Sequence, residues 1–294
     1  MTIRHLEVFI AVCDYGKMST AAEKLFMAQP SVSQAIAEIE KQYGVRLFER
    51  LSGKLYLTEA GENLLKYARH IVDSFNEMEE QLMDKGKNVT LKIGATITVG
   101  TCVLNELLNK FQDRNPHIKT QIFVQNTGAI EDMLLKNSLD IGIVEGQIKN
   151  PDIVITPIIP DELVLVCSNS HDFSRLDAVD PKDLRHQDFI LREEGSGTRE
   201  LFENSMEDLG IPLKMKWICN NSEAIKNAVM GGQGLTVISR MLVEKELAEK
   251  KLHAVKINGM KFSRTFNLVY HKNKYLSDSL KNFMAACPSF FSHG

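Results

Sequence analysis

Met18-Ser19-Thr20-Ala21-Ala22-Glu23-Lys24-Leu25-Phe26-Met27-Ala28-Gln29-Pro30-Ser31-Val32-Ser33-Gln34-Ala35-Ile36-Ala37-Glu38-Ile39-Glu40 reads as two short helices joined by a tight turn. Pro30 opens the second helix, where a missing N–H costs little because the first helical turn has no partner for it. Gln29, Ser31, Ser33 and Gln34 crowd that end with short hydrogen-bonding groups, while Val32, Ile36 and Ile39 recur at the spacing of a core-facing stripe. One end of such a helix can meet base edges and phosphates while its other face is anchored in a small core, which is how a DNA-reading helix is built.

Working outward, Leu6, Phe9, Ile10 and Cys13 mark the inner face of a preceding helix that ends near Gly16. Past Gly44, two extended segments at 47–50 and 54–57 are joined by Leu51-Ser52-Gly53. This is a hairpin wing whose Arg50 and Lys54 are placed to meet a sugar-phosphate backbone. The whole run resembles the LysR-type transcriptional regulators. Their pattern is matched by Leu6 and Phe9, by Ala21-Ala22 with Leu25, by Gln29-Pro30-Ser31-Val32-Ser33 with Ile36, and by Ile39-Glu40. It continues through Gly44, Leu47-Phe48-Glu49-Arg50, Leu57-Thr58 and Ala60-Gly61. Leucine is more usual where Ile39 stands, and Gly53 takes the place of a basic residue at the wing tip, for which Lys54 is the available substitute.

The resemblance implies a three-part α/β chain. A winged helix-turn-helix domain, all-α in type, spans 1–58, a long dimerisation linker helix and hinge spans 59–87, and a two-lobed, periplasmic-binding-protein-like effector domain spans 88–294. Its lobes would be 88–163 with 266–294, and 164–265, with crossings near 163–168 and 262–266. It also implies double-stranded promoter DNA as partner, dimers paired into tetramers, RNA polymerase as a further contact, and no catalysis.

Composition is compatible with this and excludes simpler alternatives. The chain has 294 residues and a net charge of −3, enough length for more than one core and no global positive field. Residues 1–58 carry seven basic side chains against six acidic ones, so DNA binding must rest on the motif, on local placement of charge and on dimerisation. No apolar run approaches the roughly twenty residues of a membrane span, and the start lacks the apolar stretch of a signal peptide. A cytoplasmic protein without a membrane partner is expected. Cys13, Cys102, Cys167, Cys219 and Cys287 form no C-x-x-C pair, so neither a disulfide framework nor a metal site is indicated. Cys167 and Cys219 are the pair to consider for redox sensing, although neither has a basic neighbour in sequence. Gly195-Ser196-Gly197 lacks the spacing of a nucleophile elbow, and Gly231-Gly232-Gln233-Gly234 lacks the last glycine of a dinucleotide fingerprint.

Gly61, Leu64, Ala68, Ile71, Phe75, Met78 and Leu82 are spaced 3, 4, 3, 4, 3, 4 along one helix from Thr58. A heptad seam with no core of its own predicts pairing with a second copy, Gly61 being a weak point in the helix and 85–88 a polar hinge after it. Beyond 89, extended segments at 91–94, 119–124, 139–144, 153–159, 163–167, 189–191, 215–219, 235–238 and 266–270 alternate with helices over 99–111 and 129–136 and from Thr198, Ser222, Arg240 and Leu276, as in doubly wound sheets. Ligands bind such sheets past strand ends, at helix N-termini. Three segments have that form: Thr96-Ile97-Thr98, Thr127-Gly128, and Gly195-Ser196-Gly197-Thr198-Arg199. Glu145 after another strand and Ser222 at a further helix start join them. Glycine backbone, hydroxyls and the Arg199 fork predict a small anionic effector and no other cofactor.

Overall fold

The computed structural model describes residues 1–51, 54–83 and 89–291. The expected wing turn at Ser52 and Gly53 and the expected hinge at 85–88 lie outside the described residues. The chain forms two compact units: Met1–Asn88 with the short segments Leu135–Asn137 and Asn273–Tyr275, and the remainder.

In the first unit, α1 (Ile3–Tyr15), α2 (Met18–Lys24) and α3 (Gln29–Tyr43) precede an antiparallel hairpin of β1 (Phe48–Leu51) and β2 (Lys54–Leu57), then α4 (Glu59–Met83). The apolar stripes read from the sequence meet in one core that contains Leu6, Phe9, Ala21, Val32, Ile36, Ile39 and Leu47. Glu40 fastens the wing to α3, its Oε1 accepting the Leu47 N–H at 2.7 Å. Thr58 Oγ1 donates to the Arg46 carbonyl at 2.6 Å and accepts the Gly61 N–H at 3.1 Å, so it caps α4 and fixes its approach.

The heptad positions of α4 divide into two groups. Ala68 is fully buried and Leu64 packs on the same core. Ile71, Met78 and Leu82 are exposed and Phe75 is half-buried. The seam therefore lacks a core of its own only from Ile71 onward, because its first turns close the winged domain. Gly61 belongs to the buried part.

The second unit contains β3 (Thr90–Thr96), α5 (Ile97–Cys102), α6 (Leu104–Arg114), β4 (Lys119–Gln125), α7 (Thr127–Leu135), β5 (Ile141–Val144) and β6 (Ile153–Ser168). Then come β7 (Ala178–Val179), β8 (Asp188–Arg192), α8 (Gly197–Glu207), β9 (Lys214–Cys219), α9 (Ser222–Met230), β10 (Thr236–Ser239), α10 (Arg240–Ala248), β11 (Leu252–Ile257), β12 (Phe262–His271) and α11 (Asp278–Phe291). The main sheet has the order β4-β3-β5-β12-β6-β11-β7, β10 also pairs with β6, and β8 and β9 form a separate parallel pair.

Three apolar clusters result. Ile93, Phe111, Ile141, Ile159, Phe266 and Phe283 belong to the first, Leu163, Phe189, Phe202, Val237 and Phe262 to the second, and Val166, Ile190, Val229 and Val243 to a third. β6 and β12 enter the first two, so the chain changes lobe at 160–162 and 263–265. The first crossing thus comes earlier than the expected 163–168, which is already strand in the second lobe. The segments expected at 153–159 and 163–167 are one 16-residue strand. Pro157 and Pro160 do not break it because there β6 pairs with β12 alone, leaving an edge where a proline can omit its N–H. The helix expected over 99–111 is two, divided at Val103, where Gly100, Thr101 and Val103 are poor helix formers. β7 and β11 have no counterpart among the segments read from the sequence.

Gly61 supplies a direct test of the winged core. A Cβ there would stand 2.3 Å from the Leu47 carbonyl oxygen and 2.7 Å from a Leu57 methyl. In an open helix Gly→Ala would gain about 1 kcal/mol. Here Gly61→Ala is expected to lower stability by about 1–3 kcal/mol through overpacking, measured as a lower urea midpoint with unchanged slope.

Candidate functional site

The first turn of α3 presents Gln29, Pro30, Ser31 and Gln34 to solvent, with Ser33 half-buried. Gln29 Nε2 donates to Ser33 Oγ at 2.9 Å, and Gln34 Nε2 to Glu38 Oε1 at 2.8 Å. On the wing Arg50 and Lys54 are exposed. Both amides can change partner without disturbing the core, as a base-reading side chain must. Phe26, in the turn before α3, escapes a reading by periodicity. It holds a left-handed φ of 53° and is 98 % exposed, an unfavourable position for an aromatic residue that serves only folding.

In the second unit the expected ligand segments converge. Asn126 Nδ2 donates to Glu193 Oε1 and to the Glu194 carbonyl, and the Gly128 N–H donates to the Gly195 carbonyl at 3.3 Å. The two lobes are therefore closed against each other. Side-chain-free contact allows it: a Cβ on Gly197 would lie 2.4 Å from both the Glu145 carbonyl oxygen and Gly146 Cα, and one on Gly146 would lie 2.7 Å from Thr127 Oγ1.

The polar groups at this seam differ in how they are satisfied. Thr96 and Thr98 both donate to the Glu145 carboxylate, Thr98 at 2.9 Å. Glu145 is fully buried within the lobe contact. Burial pushes its pKa upward, while Arg264, the Thr98 hydrogen bond and Arg192 pull it back and Asp161 opposes them. Arg264 pairs with Asp161 at 2.6 Å and donates to Thr198 Oγ1 at 2.8 Å. By contrast, the Thr127, Ser196 and Ser222 hydroxyls are buried without a partner. They stand at the starts of α7, α8 and α9. At α7 the Gly128 and Ala129 N–H groups already donate to the Gly195 carbonyl and Asn126 Oδ1, and at α9 Asn221 Oδ1 accepts from Glu223 and Ala224, whereas the first turn of α8 has no side-chain cap.

Arg199 does not supply the free fork that its sequence position suggests. It forms an ion pair with Glu203 at 2.8 Å, one turn along α8, and reaches the Arg192 carbonyl. Ile97 starts α5 beside the two threonines. Arg192, Asp161 and Arg264 are the residues that sequence reading overlooks. A charged residue inside an apolar strand at the lobe crossing is the signal that singles out Arg264. A cavity of about 680 Å³ flanks the seam; its walls include Glu145, Gly197 and Arg264 but none of the expected threonines or serines. With Glu145, Glu200, Glu207 and Asp208 against Arg264 alone, its net acidity does not suit an anion.

Cys167 does not have the environment of a redox-sensing thiol: burial pushes it up to about 11, leaving little thiolate at neutral pH. Among the described residues no group of His, Cys, Asp or Glu could hold a metal ion, and no helix is long and apolar enough to cross a membrane.

Comparison with known proteins agrees with both halves of this geometry. Residues 3–62 match the bacterial regulatory helix-turn-helix protein, lysR family, and residues 84–291 match the LysR substrate binding domain. The RuBisCO operon transcriptional regulator of Allochromatium vinosum is 32 % identical over 286 residues, covering 96 % of this chain and 94 % of that protein. Full-length CbnR complexed with its target DNA superposes with a TM-score of 0.59 at 21 % identity, covering 98 % and 99 % of the two chains. The CcmR regulatory domain of Synechocystis PCC6803, in complex with 2-PG, superposes with a TM-score of 0.65 at 24 % identity, covering 69 % of this chain and 98 % of that one. The chain belongs to the LysR family of bacterial transcriptional regulators.

The glycine contact between the lobes can be tested directly. Gly197→Ala must separate two backbone segments, at about 1–3 kcal/mol. The expected result in urea titration is a lower midpoint. An unchanged midpoint would mean that the lobes do not meet at Glu145 and Gly146 in solution.

Proposed function

As a LysR-family DNA-binding regulator with an effector domain, this chain reads promoter DNA, and we propose that a small effector with an anionic group, seated between the two lobes at the starts of α7 and α8, alters that reading. The observation that carries the proposal is the set of buried hydroxyls without partners. Leaving a buried donor unsatisfied costs about 1–3 kcal/mol, so Thr127 and Ser196 are costly for folding and useful for binding. Helix N-termini receive an anion through backbone N–H groups and the helix dipole, without a free cation. Gly128, Gly195 and Gly197 let the backbone approach the guest, and Ser222 adds a further donor at α9.

On the DNA side, Gln29, Pro30, Ser31, Ser33 and Gln34 face base edges, with Arg50 and Lys54 on phosphates. The exposed stripe Ile71, Met78 and Leu82 of α4 pairs with a second copy, giving two reading helices for a two-fold site, and two such dimers form the tetramer. The regulator acts in the cytoplasm, where its promoter lies.

Two measurements test this reading. Gln29→Ala is expected to lose about 1–3 kcal/mol of discrimination between operator and random duplex, whereas Lys54→Ala weakens both alike and reduces the salt slope. Equal behaviour of both variants and the parent would remove α3 and the wing from the interface. Thr127→Val keeps the shape of the side chain and deletes the orphan hydroxyl. It is expected to raise the melting temperature of the free protein and to abolish the stabilisation that small carboxylates or oxyanions give the parent, whereas a variant that still responds would place the anion elsewhere.

A further inference from the structure

The closed seam has two polarities, and Glu145 creates the difference. A hydroxyl has one proton to donate and lone pairs with which to accept. Thr96 and Thr98 both commit that proton to the Glu145 carboxylate. A ligand at these three side chains therefore meets acceptors, two hydroxyl oxygens and a carboxylate, while Arg264, which acts on Glu145 through its charge, keeps one buried Nη2 without a partner. Glu145 is 3 % exposed, and among the described residues no cation forms an ion pair with it. Arg264 is held by Asp161 at 2.6 Å and Arg192 by Glu193 at 2.8 Å. The upward push on its pKa, with burial outweighing Arg264 and Thr98, is what incomplete compensation of a buried charge produces.

The adjoining side has the opposite character. Thr127 Oγ1 and Ser196 Oγ, both more than nine-tenths buried, lack partners at the first turns of α7 and α8. Gly146 and Gly197 place the two sides next to each other: the first abuts the Thr127 side chain, and the second abuts the Glu145 carbonyl. One small molecule can span both.

We propose that the effector is a small zwitterion of amino-acid type, its carboxylate at the starts of α7 and α8 and its ammonium group received by Glu145 together with the Thr96 and Thr98 hydroxyl oxygens. The proposal rests on the reading of this cleft as the effector site and narrows it. An ammonium brings three donors to the acceptors that Glu145, Thr96 and Thr98 present, and it completes a compensation that Arg264 and Arg192 supply only in part. A dianion such as sulfate instead meets a buried carboxylate whose charge those arginines offset incompletely. Specificity follows from the same groups, because a deaminated analogue leaves Glu145 desolvated and unpaired.

The test uses the full chain and thermal melting, followed by calorimetric titration, with the twenty common amino acids, the 2-hydroxy and deaminated counterpart of each, and sodium sulfate. At least one amino acid should stabilise the protein and bind at least about tenfold more tightly than its deaminated counterpart, as expected for loss of a charge-assisted contact. Glu145→Gln retains a side chain that can bond both threonines but drops the charge, and should bring that pair to within about threefold of each other. Both ligands are compared on the same variant, so a change in its stability cancels from the ratio. Deaminated acids or sulfate binding the parent as tightly as any amino acid would overturn the ammonium site while leaving the anion reading of α7 and α8 intact. A preference that persists undiminished in Glu145→Gln would overturn the role of Glu145. Failure of every compound to bind the parent would overturn both readings.

Discussion

The Arg264–Asp161 pair is the interaction on which the effector domain turns. The two residues are cross-strand neighbours on β12 and β6, where both strands leave one core for the other. Their side chains are 8 % and 1 % exposed. A pair so buried costs several kcal/mol per ion in desolvation and is retained only with good geometry and further hydrogen bonds. Ser239 Oγ supplies one to Asp161 at 2.7 Å, and Thr198 Oγ1 receives another from Arg264. The crossing is thereby tied to β10 and to the first turn of α8, so the strands that join the lobes also hold the start of a helix at the seam.

Much of the fold was legible because it rests on periodicity. The stripe Val32, Ile36, Ile39 becomes part of the winged core, and strand-helix alternation after 89 becomes two lobes. What periodicity could not reveal is where an apolar stripe finds its partner. Gly61, Leu64 and Ala68 continue the same heptad as Met78 and Leu82, yet the first three meet the winged domain and the last two remain exposed. Spacing is a property of one helix, and burial is a property of what lies opposite. For the same reason a continuous β6 through Pro157 and Pro160 escapes a reading of one segment at a time: whether a proline interrupts a sheet depends on which neighbour its missing N–H would have faced.

The cleft illustrates a second limit. Residue types locate donors and acceptors near a strand end, but they do not say which are already engaged. Thr96, Thr98, Thr127 and Ser196 are equivalent hydroxyls in a sequence, and the structure separates them into two that are committed to Glu145 and two that are unpartnered. Arg199 is a fork-shaped cation in the sequence and half of an i,i+4 ion pair on α8.

On the proposed reading, that separation also gives the cleft the means to act as a switch. A ligand shifts an equilibrium only through its differential affinity for the two states, and moving one from 1:99 to 99:1 takes about 5.5 kcal/mol. The Thr127 and Ser196 hydroxyls are buried without partners in this arrangement, at about 1–3 kcal/mol each. If opening the cleft lets water satisfy them, a guest that bonds both would remove a penalty confined to the closed arrangement. The two groups would then supply on the order of 2–6 kcal/mol of differential stabilisation, comparable with what a complete shift requires. On that reading, filling the hydroxyl positions with apolar groups would make the closed state more stable but indifferent to ligand, and the imperfect packing of polar groups at this seam is what would let a ligand act on the domain.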